Sequence, residues 1–211
     1  MMQEIDAAVR QLLERHAELP SDVEISFDAP TRDWAAKRNA PTLDLYLYDI
    51  RRDMERDIAG FVELRGDDGR VTERRPQPRY FKLSYLVTAW TQRPEDEHHL
   101  LSAALVAFLR HDRLPPDLLE GSLAELGLVA PVTIALPPPE DRSFADVWTA
   151  LGGELKPSLD VVVSTPIDVG APEPAGPPTQ RATLRARDLA SGAEAEVRAS
   201  NWPTDDDRVP T

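Results

Sequence analysis

The chain has 211 residues, 41% of them hydrophobic, and sets 24 lysines and arginines against 37 aspartates and glutamates for a net charge of −13. That length suits one large domain with an appendage, and the acidic balance argues against nucleic-acid or anionic-membrane binding, which needs a basic face. With no cysteine there is no disulfide framework, thiolate nucleophile or cysteine-type zinc site.

No apolar run approaches the roughly 18 residues of a membrane span. The opening MMQEIDAAVRQLL lacks the basic-then-apolar order of a secretory signal. The expectation is a protein made in the cytoplasm, with no direct membrane insertion.

Residues 2–18 predict an amphipathic helix, with Ile5, Val9, Leu12 and Leu13 at helical spacing and Pro20 as its stop. VEISF (23–27) alternates as a half-buried strand does. The connector 28–41 carries a short helical turn around Trp34 to Lys37. TLDLYLYDIRR (42–52) has a period of two, with Leu43, Leu45 and Leu47 facing one way and Asp44, Tyr46 and Tyr48 the other. FVELRGDDGRVTERR (61–75) reads as a charged hairpin turning at Asp68-Gly69, which would project or form a sheet edge.

YFKLSYLVTAW (80–90), aromatic, β-branched and almost uncharged, predicts a central strand. A helix then runs from Pro94 to about Arg110, followed by a turn at Leu114-Pro115-Pro116 and a short helical piece. A strand over 131–136, a helix over 143–153 capped by Ser143 and ended by Gly152 or Gly153, and a strand over 158–167 complete the body.

From Gly170 the composition changes. VGAPEPAGPP is a proline-rich linker, and 182–188 and 193–199 can pair as a hairpin before a solvated end with Trp202. The boundary expected from this is 1–169 for the main domain and 170–211 for linker and arm.

The stretch TQRPEDEHHLL (91–101) is the first candidate for chemistry, because Glu95 and His99 stand at the i, i+4 spacing of metal ligands. Helix-start physics accounts for the same residues. Pro94 suits the first helical position, Glu95, Asp96 and Glu97 meet the positive helix end, and His98 falls in line with Leu101, Leu105 and Phe108. No nucleophile elbow, phosphate loop or dinucleotide fingerprint occurs. The reading is no enzyme, no catalytic or metal residues and no cofactor; a metal-dependent enzyme built on Glu95/His99, or an acidic adaptor for a basic partner, are the alternatives.

Candidate partner-interface residues lie in three places. The connector has Arg32, Trp34, Lys37 and Arg38, with Trp34 either a core plug or an interface anchor. A local basic cluster gathers Arg51, Arg52, Arg70, Arg74, Arg75 and Arg79 around the hairpin. The arm offers Thr183, Arg185, Arg187, Glu194, Glu196 and Arg198.

Four segments, SFDAPTRDWAAKRNAPTLDLYLYDIRRD (26–53), YFKLSYLVTAWTQRPEDEHHLL (80–101), LPPDLLEGSL (114–123) and WTALGGELKPSLDVVVSTP (148–166), together resemble the cap, or tail-terminator, proteins of phage-tail-like contractile injection systems. More narrowly, they resemble the N-terminal domain family of the cap in extracellular-type particles. The resemblance covers about residues 1–168 and leaves the arm outside. It implies an α/β (α+β) fold similar to phage tail terminators: a mixed β-sheet flanked by helices, with an extended C-terminal arm. It also implies a homo-oligomer, a hexameric ring, at the membrane-distal end of the particle, with the sheath protein and the inner tube protein as partners. Residues 180–199 are expected to add a strand to a sheath subunit or a neighbouring cap subunit.

Overall fold

A computed structural model describes residues 1–137, 144–176, 181–187 and 194–200. In chain order these form α1 (Met2–His16), β1 (Glu24–Ser26), α2 (Arg32–Ala35), β2 (Thr42–Arg52), β3 (Phe61–Arg65), β4 (Val71–Pro76), β5 (Arg79–Trp90) and α3 (Pro94–Leu109). After a single 3-10 turn (Pro116–Leu118) come α4 (Gly121–Leu126), β6 (Val132–Ile134), α5 (Phe144–Ala150), β7 (Ser158–Ile167), β8 (Glu173–Pro174), β9 (Arg181–Arg187) and β10 (Glu194–Ser200). Two compact units emerge: Met1–Ile58 with Pro78–Asp168, and Ala59–Gln77 with Val169–Thr211.

The first unit is built on a mixed five-stranded sheet in the order β1-β2-β5-β7-β6, in which only β1–β2 is parallel. β5 lies between its two longest partners and is buried along most of its length, which is why its sequence is almost continuously apolar. One face presents Leu43, Leu45, Leu83, Tyr85, Val87 and Val161 to Ile5, Val9, Leu12 and Leu13 of α1 and Leu100, Ala104 and Phe108 of α3, forming the main core. Fully burying each large side chain in such a core contributes about 1.5–3 kcal/mol. Tyr85 sits in this layer with its hydroxyl donating to Asp6 Oδ1 at 2.7 Å, fixing α1 on the sheet.

The opposite face holds a smaller layer. Leu86 and Trp148 are buried there, and Trp148 of α5, Trp90 of β5 and Trp34 of α2 form a chain of rings with centroids 6.4 and 5.5 Å apart. Gly152, at φ +67°, ends α5 in the left-handed conformation glycine tolerates. The expected cap Ser143 lies outside the described residues, as does Trp202.

Two details of β2 depart from its two-residue period. A bulge falls between Leu47 and Asp49, so Asp49 and Arg51 pair with Ser84 and Lys82, and the alternation reverses beyond Tyr48. Asp44, expected on a polar face, is fully buried.

The second unit contains a three-stranded sheet, β3-β4-β8, and the antiparallel pair β9–β10. The charged hairpin turns over Gly66–Gly69, with Gly69 N–H donating to Gly66 O at 2.9 Å. Of the Asp68-Gly69 pair only Gly69 takes a positive φ, +74°. Part of the proline-rich stretch read as linker is a strand: Glu173 and Pro174 pair with Arg74 and Glu73, and Ala175 N–H donates to Thr72 O at 2.8 Å. Composition cannot reveal such pairing, because two ladder residues need no apolar periodicity.

Candidate functional site

The start of α3 is a structural joint. Pro94 occupies the first turn, and Glu95 and Asp96 are exposed. Glu97 turns inward, where its Oε1 lies 2.6 Å from Lys156 Nζ. That ammonium group also lies 4.2 Å from the Trp90 ring centroid, so the acid fixes a cation on the tryptophan layer. His98 does not join the apolar stripe; it is exposed, and the buried face is Leu100, Leu101, Ala104, Ala107 and Phe108. The helix sits rotated from the expected face, with Glu97 paired to Lys156 and His98 in solvent. His99 is exposed at the rim of a cleft. Among the described residues no three histidine or carboxylate side chains form a metal-ligating group, and no helix is long and apolar enough to cross a membrane.

The connector residues are organised around Trp34. Thr31 caps α2, accepting from Trp34 N–H at 3.3 Å. The Trp34 indole donates to Asp28 Oδ2 at 3.0 Å, and the Arg38 guanidinium lies 4.6 Å from the ring centroid and 3.5 Å from Glu24. These contacts, led by the Trp34 indole and then the Ser26 hydroxyl, hold Asp28 below the usual aspartate range. Trp34 is half-buried; Arg32 and Lys37 are exposed.

Asp44 stands beside this network. Its two carboxylate oxygens are buried and have no hydrogen-bond partner among the described residues. Ser26, its register neighbour on β1, donates to Asp28 instead. Burial foremost, with the negative charge of Asp28 adding to it, pushes the Asp44 carboxyl up to about 7.

Next to α2, residues Pro20, Val23, Arg38–Pro41, Trp90–Arg93, Asp96, His99 and Leu100 line a cleft of about 490 Å³. It lies at the end of the sheet where β2 begins and β5 finishes.

The residues of the basic cluster are divided between the two units. Arg52 and Arg79 both pair with Asp57, Arg79 at 3.2 Å, and Asp57 is only 3% exposed. Asp53, 1% exposed, accepts from Ser164 Oγ at 2.5 Å and lies near Arg56 and Lys82. Arg51 pairs with Asp49 at 2.9 Å. Arg70, Arg74 and Arg75 belong to the second unit, with Arg70 3.8 Å from Asp68 and Arg74 3.8 Å from Glu63. Thr183, Arg185 and Arg187 are exposed, and Arg185 pairs with Glu196 at 3.0 Å. The side chains of Glu194 and Arg198 lie outside the described residues.

Arg79 is therefore expected to be a structural residue. Arg79→Ala leaves Asp57 short of a partner and should cost about 1–3 kcal/mol, whereas Arg70→Ala at an exposed pair should stay within about 0.5 kcal/mol. Thermal melts of the two variants beside the parent chain check this, and equal losses would contradict it.

A family profile matches residues 4–181, most of the chain, and it is that of the Pvc16 N-terminal domain. The chain belongs to the Pvc16 N-terminal domain family. This is the family that the four quoted segments resemble. No curated protein matches the chain. Among solved structures, it is similar to the sheath/tube terminator of an extracellular contractile injection system, PVC, in its extended state. The TM-score is 0.65 at 21% identity, over 90% of this chain and 65% of that one. It is also similar to the tube-terminating cap of the anti-feeding prophage, with a TM-score of 0.56 at 22% identity over 82% of this chain and 57% of that one. The chain thus spans less than two thirds of the length of either structure, and at these identities the likeness establishes the fold: a mixed sheet with helices, as in tube terminators.

Proposed function

We propose that this chain caps the membrane-distal end of a contractile injection particle, stops growth of the inner tube and sheath, and joins the two. The observation that carries this reading is the family match over residues 4–181, supported by likeness to a sheath/tube terminator over 90% of the chain. The role is geometric. A stacking ring exposes a growing end, and a terminator matches one face of it while offering no productive second face; contacts between identical subunits must close, here at six. The main sheet suits this, since both its edge strands, β1 and β6, are only three residues long and present little open ladder. Strand exchange with a sheath subunit or a neighbouring cap then falls to residues 180–199. The chain works by contact, without catalysis, and joins the particle as it assembles in the cytoplasm.

Electron microscopy of particles from producing cells tests the reading. Deleting the chain is expected to give overlong or uncapped tubes, and a chain ending at residue 168 should fail to hold the sheath to the tube. Particles of normal length and attachment without the chain would refute the capping role; normal attachment with the truncated chain would refute the role of the arm.

A further inference from the structure

Two of the four histidines meet where two helices end. His16 is the last residue of α1, and His111 follows Arg110, the C-cap of α3. Their rings lie 4.5 Å apart, centroid to centroid, and are tilted by 53°. Both are half-buried and both belong to the first unit. His98 and His99 differ from them: they are exposed, successive residues of α3, and neighbours at that spacing do not face each other. Nothing in the sequence brings His16 to His111, because each is a lone histidine at the end of its own helix.

The hydrogen bond made by His111 fixes its tautomer. Its Nδ1 lies 2.9 Å from Ala107 O. A carbonyl oxygen only accepts, so Nδ1 carries the proton and, in the neutral ring, Nε2 keeps its lone pair. A histidine that ligates a metal almost always gives its other N–H to a carbonyl or carboxylate in this way, which orients the ring and raises its basicity. The spacing suits a shared ion as well. With metal–nitrogen bonds of about 2.0–2.1 Å, two imidazoles on one ion stand with ring centres roughly 4.5–5 Å apart. Rings stacked flat would aim their lone pairs in parallel, whereas a tilt of 53° lets them converge.

The surroundings favour a cation. The C-terminal ends of α1 and α3, helices of 15 and 16 residues, meet here, and each carries the negative pole of its helix, equivalent to about half an electronic charge. Of the cations next to the two rings in sequence, Arg15 is 3.1 Å from Asp117, Arg113 is 3.6 Å from Asp112, and Arg110 is exposed. Among the described residues no third histidine or carboxylate completes a ligand group, so water fills the remaining positions from the open side. Imidazole nitrogen suits zinc, nickel or copper(II), while magnesium and calcium prefer oxygen.

We propose that His16 and His111 together bind one late first-row divalent metal ion, of the zinc or nickel type, which clips the end of α1 to the end of α3. The site belongs to the single chain and stands independently of the capping role.

Thermal melts of the full-length chain, stripped with EDTA and desalted, test the site. A saturating excess of zinc chloride or nickel chloride should raise the Tm by roughly 5 °C. Magnesium chloride should leave it unchanged, and calorimetric titration with nickel chloride should count one ion per chain. His16→Gln and His111→Gln should each remove the rise and weaken nickel binding by about tenfold or more. The double variant His98→Gln/His99→Gln should keep both. His111→Gln also loses the bond to Ala107, so His16→Gln carries the test if that variant folds poorly. No rise with either zinc or nickel, an equal rise with magnesium, or binding that survives His16→Gln overturns the site. So does a rise that grows with protein concentration, because the ion would then be joining two chains.

Discussion

Asp44→Asn is expected to stabilise the protein by about 4 kcal/mol at pH 8, by under half that at pH 5, and not at all near pH 4. The carboxyl is fully buried and is pushed from an ordinary 3.8 up to about 7, chiefly by burial. An acid whose folded value lies above its unfolded value binds more protons when folded. Stability therefore falls as pH rises between the two values and is flat above the higher one. Asparagine reproduces the shape of the neutral acid and cannot ionise, so its advantage equals the cost of keeping Asp44 charged or protonated against its unfolded preference. Denaturant melts of parent and variant across pH 4–8 measure the difference, in which the other carboxylates cancel. A difference independent of pH would show that Asp44 does not titrate in this window. Burial and the charge of Asp28 oppose its ionisation, while the Ser26 side chain, the Asp28 backbone and Arg38 favour it without overcoming burial.

Where the fold can be read from residues alone, periodicity carries it. α1 keeps Ile5, Val9, Leu12 and Leu13 on one side and buries all four, and β7 occupies the predicted 158–167. Both are set by local pattern plus one buried face. The departures from expectation share a different cause: each is decided by a partner far along the chain. Glu97 takes the inward position in place of His98 and pairs with Lys156, 59 residues later. Arg52 and Arg79 look like surface cations until Asp57 folds between them. The bulge after Leu47 needs only one extra residue, Tyr48, whose hydroxyl donates to Asp160 Oδ1 at 2.9 Å, and nothing in TLDLYLYDIRR announces it.

Trp148→Ala should be the most damaging single change in the second layer, costing about 3–5 kcal/mol, or a fall in Tm of roughly 10 °C or more for a domain of this size. The side chain is 1% exposed, stacks toward Trp90, and fills the space against Gly153, where even an added Cβ would meet its ring carbon Cε3 at 3.2 Å. Truncation removes the support for Trp90 from one side while Trp34 and Lys156 hold it from the others. Trp148→Phe should behave differently. The indole Nε1 is buried with no partner among the described residues, so phenylalanine removes an unsatisfied donor worth about 1–3 kcal/mol as it removes ring contacts. The two terms nearly cancel, and the phenylalanine variant should melt close to the parent. Equal melting of the alanine and parent chains would mean that this layer contributes nothing to the fold.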